Sequence, residues 1–207
     1  MTTTNFHPAV RDDLEAIVAM YAKDHFDYQI IGRSLDDAAG ECVDKVAKMF
    51  GHPMPGGPVV DGYAMQFSGE DFDFPKPLLK QKVFDFSFSG LKTAMLRFRQ
   101  NHPDKLDEEG PILASFFRSV TEVLVDKTFS AAETIGVDRI SVSGGLAASR
   151  KLRQVFTEES DRKRLKLHYP SKSLCTDNAA MVACLASFRF KAGLMDDLNL
   201  EAYPNLI

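Results

Sequence analysis

Apolar residues recur every three or four positions over residues 34–50, and this spacing predicts an amphipathic helix. Ser34 is the predicted N-cap of this helix, and Asp37 stands at the position of the acid in a capping box. Gly51 is expected to end the helix, because the prolines that follow it cannot continue helical structure. The predicted apolar face consists of Ala38, Ala39, Val43, Val46, Ala47 and Phe50.

The remaining elements follow from the same periodicity and from the alternation typical of strands. Helices are predicted over residues 10–24, 59–67 and 111–135. Another should start at Ser89 and end before a loop at 101–110, and a further one should begin near residue 147. The last is predicted from an N-cap at Thr176 to about residue 192. Strands are predicted over residues 28–32, 84–88, 137–142 and 167–170. The charged run at residues 158–166 is typical of a solvent-exposed turn. Helix should therefore exceed strand.

Three acids share one face of the first predicted helix, at Asp37, Glu41 and Asp44. One interpretation is an ordinary solvated face, in which Lys45 and Lys48 pair with the acids four residues before them. The other is that Asp44 faces a cleft beside the Pro-Gly-Gly-Pro turn at residues 55–58. Two prolines fix that turn and two glycines let its backbone approach a neighbouring group closely.

Composition limits the classes of function. The chain has 207 residues, 44% of them hydrophobic, which allows one large domain or two small ones with a proper core. A net charge of −4 excludes a global basic field for nucleic acid, so RNA would need a local patch or a partner. An odd number of cysteines, three, indicates reduced thiols and a cytoplasmic protein. No apolar run approaches 18 residues, so no membrane association is expected.

Three further turns carry candidate chemistry. Lys92 falls in the first turn of a helix after two serines, which could form an anion site or leave the lysine in solvent. Gly144 and Gly145 join a buried strand to a helix, which can present backbone amides to a phosphate or simply allow a tight turn. Asp177 precedes an amide side chain at a helix start, which suits a metal or ribose site or merely the helix dipole.

Several motifs occur in one order along the chain, and together they resemble the TsaD family. This family, also called YgjD or Gcp, comprises the tRNA adenosine threonylcarbamoyltransferases formerly described as O-sialoglycoprotein endopeptidases. The motifs lie at residues 36–41, 44–45, 55–58, 86–93 (FSFSGLKT), 144–145, 152–153 and 175–181 (CTDNAAM). The resemblance covers residues 28–207, and residues 1–27 form an N-terminal segment that does not match.

The resemblance implies an α/β fold, namely the C-terminal lobe of an actin/Hsp70/sugar-kinase-like fold (ASKHA, RNase H-like). We expect a helix-rich lobe with a small mixed sheet formed by residues 138–143 and 165–169. Family members have a second, N-terminal lobe with a His-x-x-x-His pair that binds metal. No two histidines of this chain are four residues apart, so that pair is absent here.

Site residues follow from the matching motifs. By resemblance, Asp44 would hold the ribose or the threonylcarbamoyl part of the adenylate, and Gly57 would line the nucleoside site. Gly144 and Gly145 would approach adenine, and Asp177 would be the carboxylate ligand of a divalent metal, iron or zinc. Lys92 and Ser149 are further nucleotide-binding candidates by resemblance. Ser149 stands where the family usually has asparagine.

The function implied is transfer of threonylcarbamoyl from threonylcarbamoyl-AMP to the N6 amine of adenosine beside the anticodon of tRNA, with that adenylate or ATP as the nucleotide ligand. TsaB-like and TsaE-like proteins, tRNA and a separate N-terminal lobe are the implied partners. Without the histidine pair, the isolated chain is predicted not to perform the reaction alone. The alternative is a non-catalytic interaction or scaffold module. A metalloprotease lacks support, because no His-Glu-x-x-His motif is present.

Overall fold

The structure is a computed structural model that describes residues 17–23, 27–79 and 83–197. Two strands open the described part, β1 (Ile17–Ala22) and β2 (Tyr28–Arg33), and helices α1 (Ala39–Met49), α2 (Gly57–Gln66) and α3 (Ser89–Asn101) follow. The long helix α4 (Glu109–Ile135) leads to β3 (Arg139–Ser141), α5 (Arg150–Lys163), β4 (Lys166–His168) and α6 (Ala179–Lys191). Short 3-10 turns lie at Pro103–Lys105, Gly145–Ala148 and Lys172–Leu174.

Helix α4 forms the centre of the core. Its side chains are buried on most of its circumference, because α2 packs along it while α5 and α1 cover other sides. A helix with apolar side chains on several of its faces is stable when several neighbouring elements cover those faces. Among the described residues, the five largest fully buried side chains are all aromatic: Phe86, Phe88, Phe116, Phe117 and Phe129.

Two small sheets accompany the helices among the described residues. Strands β1 and β2 pair antiparallel, and β3 and β4 pair parallel in the register Ile140 to Leu167. The predicted pairing region of residues 138–143 and 165–169 is therefore confirmed, and helix exceeds strand as expected. The parallel pair requires a crossover, which α5 supplies.

Two predictions of strand and helix were wrong. Residues 17–22, predicted as part of a helix over 10–24, form β1, because pairing with β2 satisfies their backbone; residues 10–16 lie outside the described residues. Residues 84–88 are not a strand: only Phe86 pairs, through a single bridge to Ser34. Phe86 and Phe88 are both buried, so the alternation reflects core packing without a continuous ladder.

Three predicted caps and one predicted turn were also wrong. Helix α1 begins at Ala39, because the Ser34 hydroxyl donates instead to the backbone oxygen of Asp37. Asn178, and not Thr176, caps α6 by accepting from the amide of Met181. Much of the charged run at residues 158–166 lies in the last turns of α5, where intrahelical ion pairs such as Arg162–Glu159 form. Ser89, the third predicted cap, is the first residue of α3, and its amide donates to Asp36.

Candidate functional site

Two loops of the candidate site follow the two parallel strands. The turn with Gly144 and Gly145 comes after β3, and the loop that leads to Asp177 comes after β4. Because the strands are parallel, both loops leave the same edge of the sheet. In open α/β sheets this carboxyl edge is where ligands bind.

Arg153 on α5 holds these two loops together. Its Nε donates to the backbone oxygen of Ala147 at 2.5 Å, and its terminal nitrogen donates to the backbone oxygen of Pro170 at 2.9 Å. The same nitrogen lies 3.3 Å from the Sγ of Cys175, and the guanidinium stacks over Tyr169. The positions of the glycine turn and of the segment before Asp177 are therefore fixed relative to each other.

The glycine turn leaves room for a ligand at its backbone. Gly144 has a φ of +90°, a conformation that favours glycine, and a Cβ added at Gly144 or Gly145 would meet no atom within 4 Å. Gly40 of α1 approaches the same turn, since its hypothetical Cβ would lie 3.9 Å from the side chain of Leu146. Helix α1 therefore borders the Gly144–Gly145 turn.

Asp44 forms a clamp on the Pro-Gly-Gly-Pro turn. Its Oδ1 accepts hydrogen bonds from the amides of Gly56 at 2.7 Å and Gly57 at 3.0 Å, at the N-terminus of α2. Gly57 faces open space, with no atom within 4 Å of a hypothetical Cβ. The Glu41–Lys45 pair of the solvated-face interpretation does form, at 2.7 Å, while Asp44 is hydrogen-bonded to the turn. The interpretation that Asp44 faces a cleft stays a prediction.

Asp61 on α2 is a site residue that sequence reasoning missed. This buried carboxylate accepts from the Ser149 hydroxyl at 2.6 Å, the Lys151 amide at 2.9 Å and the Arg150 Nε at 3.1 Å. Burial alone would raise the pKa of Asp61, but these hydrogen bonds outweigh it and lower the pKa. Asp61 thus joins α2, which starts at Gly57, to α5, which starts after the glycine turn.

Ser149 is the residue of the α5 N-terminus that binds Asp61. Its hydroxyl donates to Asp61 and accepts from the amide of Leu152 at 3.0 Å, so Ser149 is the N-cap of α5. A hydroxyl has a single proton, and here that proton is directed to Asp61. No signal within the helix predicted over 59–67 could have identified Asp61, because its partners are 88 to 90 residues away.

Lys92 lies in a network of charged side chains beside α1. Its Nζ donates to Asp37 Oδ2 at 2.7 Å, and Lys45 donates to Asp37 Oδ1 at 2.9 Å. The hydrogen bond from Lys92 outweighs burial and, together with Lys45, lowers the pKa of Asp37. The Lys92 charge is therefore engaged by Asp37, at the start of α3.

Asp36 caps α3 from a distance and replaces the predicted Ser89 cap. Its Oδ1 accepts from the amides of Phe88 at 2.7 Å and Ser89 at 3.1 Å, while its Oδ2 accepts from the hydroxyls of Ser87 and Ser89. Partial burial would raise the pKa of Asp36, but the bonds from Ser87, Phe88 and Ser89 outweigh it and lower the pKa. This carboxylate links the α1 entry to the Phe-Ser-Phe-Ser motif.

Stability should therefore depend on pH through Asp36. A carboxylate with a depressed folded-state pKa stabilises above its unfolded pKa, about 3.9, and that contribution is lost as pH falls through the folded pKa. We expect the free energy of unfolding in urea to fall below about pH 4, and to fall less steeply in Asp36→Asn. The exposed Asp138→Asn is the control and should follow the unmodified chain. Identical slopes for Asp36→Asn and the unmodified chain would contradict this role.

Asp177 is exposed beyond these loops. Within residues 17–23, 27–79 and 83–197, no group of three or more histidine, cysteine, aspartate or glutamate side chains could hold a metal ion. A cavity of about 460 Å³, lined by residues including Lys23, Gly136 and Arg139, lies at the start of β3. It is thus at the opposite end of that strand from the glycine turn and contains none of the predicted site residues.

Comparison with known proteins identifies the family. The model of the family TsaD, tRNA N6-adenosine threonylcarbamoyltransferase, matches residues 18–184. Proteins with that same name are similar: one from Syntrophotalea carbinolica is 45% identical over 180 residues (86% of this chain and 53% of the relative), and one from Staphylococcus carnosus is 43% identical over 190 residues (90% and 55%). A Thermotoga neapolitana relative is 40% identical over 187 residues (90% and 57%).

The chain spans about half the length of the curated relatives it matches. The division at residue 28 stays a prediction. In the part of the chain that the structure describes, no helix is both long and apolar enough to cross a membrane. Since the family model covers residues 18–184, this chain belongs to the TsaD family of tRNA N6-adenosine threonylcarbamoyltransferases.

Proposed function

We propose that this chain is the nucleotide-binding part of a tRNA N6-adenosine threonylcarbamoyltransferase, with the C-terminal lobe of an actin/Hsp70/sugar-kinase-like fold. The observation that carries the proposal is the clamp of Asp44 on the amides of Gly56 and Gly57. It leaves Gly57 open to a ligand, and α1, which carries Asp44, also borders the Gly144–Gly145 turn through Gly40. The TsaD name of the relatives supplies the reaction.

Each group of residues in the proposed site is assigned a different contact or positioning role. Asp44 Oδ1 is occupied by the two amides, and Oδ2 accepts no hydrogen bond from the described residues, so it can receive a ribose hydroxyl or a threonylcarbamoyl N–H. The Gly144–Gly145 turn lets adenine approach the backbone without meeting a Cβ. Ser149 contributes by positioning α5 through Asp61. Lys92 would add positive charge only if a ligand competed with Asp37.

In the reaction, the adenosine N6 amine of tRNA forms a bond to the carbamoyl carbon of threonylcarbamoyl-AMP. The bond from that carbon to the phosphate oxygen breaks, AMP leaves with the electron pair, and the amine loses a proton. Asp44 and the Gly144–Gly145 turn would hold the adenylate so that its carbonyl carbon faces the incoming amine. They would therefore accelerate the reaction by orienting the two reactants. TsaB-like and TsaE-like proteins belong to this proposal as partners, together with tRNA.

The residues present do not fit a complete metal site. Asp177 is a single exposed carboxylate, and catalytic zinc takes three protein ligands. The described residues bring no second and third ligand to it. We therefore assign no step of the reaction to a metal held by this chain alone, and we propose that Asp177 completes a site for iron or zinc whose other ligands lie outside it.

A non-catalytic interaction module is the second candidate function. It is favoured by the commitment of the Ser149 proton to Asp61 and by the lack of a metal-ligand group among the described residues. In that case Asp44 would stabilise the turn without ever contacting a nucleotide. The two candidates differ in whether the chain binds adenylate.

Calorimetric titration with ATP and with a threonylcarbamoyl-adenylate analogue, with and without Zn²⁺, tests this difference. We expect binding that Asp44→Ala weakens at least about tenfold, or about 1.4 kcal/mol. Asp44→Asn, which keeps an oxygen for the two amides, separates loss of the ligand contact from loss of the turn. Asp177→Ala should not change affinity in the isolated chain, and Asp138→Ala is the surface control. Absence of binding under every condition would support the non-catalytic module.

A further inference from the structure

The α1–α2 segment, residues 50–56, has few backbone groups that can fix its position. Pro53 and Pro55 within it lack an N–H donor. Among the described residues, backbone hydrogen bonds reach the segment only at its two ends. Its first amides donate to the last turn of α1, and the backbone oxygen of Gly56 accepts from the first turn of α2. Side chains must therefore hold the middle of the segment in place.

Each end of the α1–α2 segment has a side-chain anchor. At the later end, Asp44 accepts from the amide of Gly56. At the earlier end, the imidazole Nε2 of His52 is hydrogen-bonded to Oε1 of Glu109, the first residue of α4 and 57 positions away in the chain. The two side chains are only 22% and 28% exposed, so solvent screens this contact less than a surface pair. His52 thus ties the segment to the central helix.

Glu109 is a fixed support for this contact. A Cβ added at the next residue, Gly110, would clash with the ring of Phe67 and lie 3.1 Å from that of Tyr63, so the start of α4 is packed tightly against α2. The ring centroid of Tyr63 also lies 6.3 Å from that of His52. Burial and a hydrogen bond to Glu109 raise the pKa of Tyr63. The carboxylate therefore receives donors from both the α1–α2 segment and α2.

We propose that His52 is a positioning residue of the nucleotide site and that it acts through Glu109. The contact fixes the beginning of the α1–α2 segment against α4, and a segment fixed at both ends keeps the amides of Gly56 and Gly57 on Asp44. Gly57 then stays open to the ligand. His52 needs no contact with the nucleotide for this role. The inference rests on the proposed function, because the turn that His52 positions is the one assigned to the adenylate.

Calorimetric titration with ATP tests whether this pair controls binding. We expect His52→Ala and Glu109→Ala each to weaken ATP binding at least about fivefold, since each removes a hydrogen bond to a charged group. The double variant should bind no more weakly than the weaker single variant, because both substitutions break one contact. His52→Gln, whose amide N–H can reach the carboxylate, should restore the affinity to within about twofold of the unmodified chain.

Two exposed residues provide matched controls. Glu108→Ala removes the neighbouring acid at the start of α4, and His102→Ala removes a histidine at the end of α3. Both variants should bind ATP as the unmodified chain does. Equal losses of affinity in Glu108→Ala and Glu109→Ala would indicate a general effect of charge at the helix start. That result would overturn the inference.

Amide hydrogen exchange followed by NMR tests the positioning without any ligand. Residues 53–58 contain three prolines, and the amides of Gly56 and Gly57 are held there by Asp44. We expect these two amides to exchange at least about tenfold faster in His52→Ala, while amides in the middle of α4 keep their rates. His52→Gln should slow them again. Equal acceleration in the turn and in α4 would mean that His52 only stabilises the whole fold, which would also overturn the inference.

The two measurements separate failure of this inference from failure of the proposed function. If the unmodified chain binds no ATP, the proposed adenylate site is wrong, but the exchange rates still decide whether His52 fixes the turn. If the unmodified chain binds ATP and His52→Ala binds it equally well, the proposed function stands and the positioning role does not. Unchanged exchange of Gly56 and Gly57 in His52→Ala would refute that role with or without nucleotide.

Discussion

Replacing Gly56 by alanine should destabilise the chain by about 3 kcal/mol, the upper part of the range for overpacking. A Cβ at Gly56 would lie 2.2 Å from the Cβ of Ala47, which is fully buried on α1. Neither atom can rotate away, so α1 and the turn must separate. That separation would also pull the amides of Gly56 and Gly57 from Asp44. Urea unfolding measures the loss, and nucleotide titration should show weaker binding.

Two further variants make this prediction specific. Adding Ala47→Gly removes the atom that the new Cβ meets, so the double variant should be more stable than Gly56→Ala alone, despite glycine costing about 1 kcal/mol in a helix. Gly62→Ala, on α2 with no atom within 4 Å, is the control and should stabilise by up to about 1 kcal/mol. A Gly56→Ala protein as stable as the unmodified chain would show that the turn does not pack against α1 as described.

Asp61→Ala should cost about 3 kcal/mol of unfolding free energy, because it leaves buried donors without a partner. The Ser149 hydroxyl and the Lys151 amide both point at this carboxylate, and Ser149 is only 8% exposed. Arg150 contributes little to the loss, since its side chain is 57% exposed and solvent screens its charge. Chemical denaturation measures the change.

Asp61→Ala should change the geometry of the candidate site as well as lower the stability of the fold. Asp61 holds α2 against α5, so its loss should also displace the Gly57 turn from the Gly144–Gly145 turn. Asp61→Asn retains one acceptor and should fall between the unmodified chain and Asp61→Ala in stability. Asp138→Ala, which removes a carboxylate that is 71% exposed, should cost less than about 0.5 kcal/mol. Equal effects at Asp61 and Asp138 would refute a buried connection between the helices.

The elements that the sequence predicted well are those whose apolar pattern extends over many residues. The prediction over residues 111–135 differs from α4 by two residues at its start, because its apolar positions repeat through many turns. Gly136, with a φ of +78°, ends α4 as expected. The helix over 59–67 and the strand over 28–32 were confirmed with small shifts in their boundaries. Short signals failed more often, since six residues with apolar character suit β1 as well as a helix.

Two of the three helix caps were predicted wrongly because residues distant in the sequence contact the predicted cap. Ser34 and Ser89 had the right residue type at the right local position. Yet Ser89 binds Asp36, a residue 53 positions away, and Ser34 is part of the bridge to Phe86. Backbone donors at a helix start accept any well-placed oxygen, whether it is local or brought by the fold.

The sequence by itself determined the family, the helix-rich α/β class, and the fact that Asp44, Gly57, Gly144 and Asp177 belong to ordered motifs. These properties are local, because they depend on residue order and spacing. Tertiary structure alone decided that Asp44 clamps the turn twelve residues later, that Asp61 joins Ser149 across the core, and that α6 lies exposed. Each of these depends on which distant groups the packing of helices brings within hydrogen-bonding or van der Waals reach, and spacing along the chain does not encode that distance.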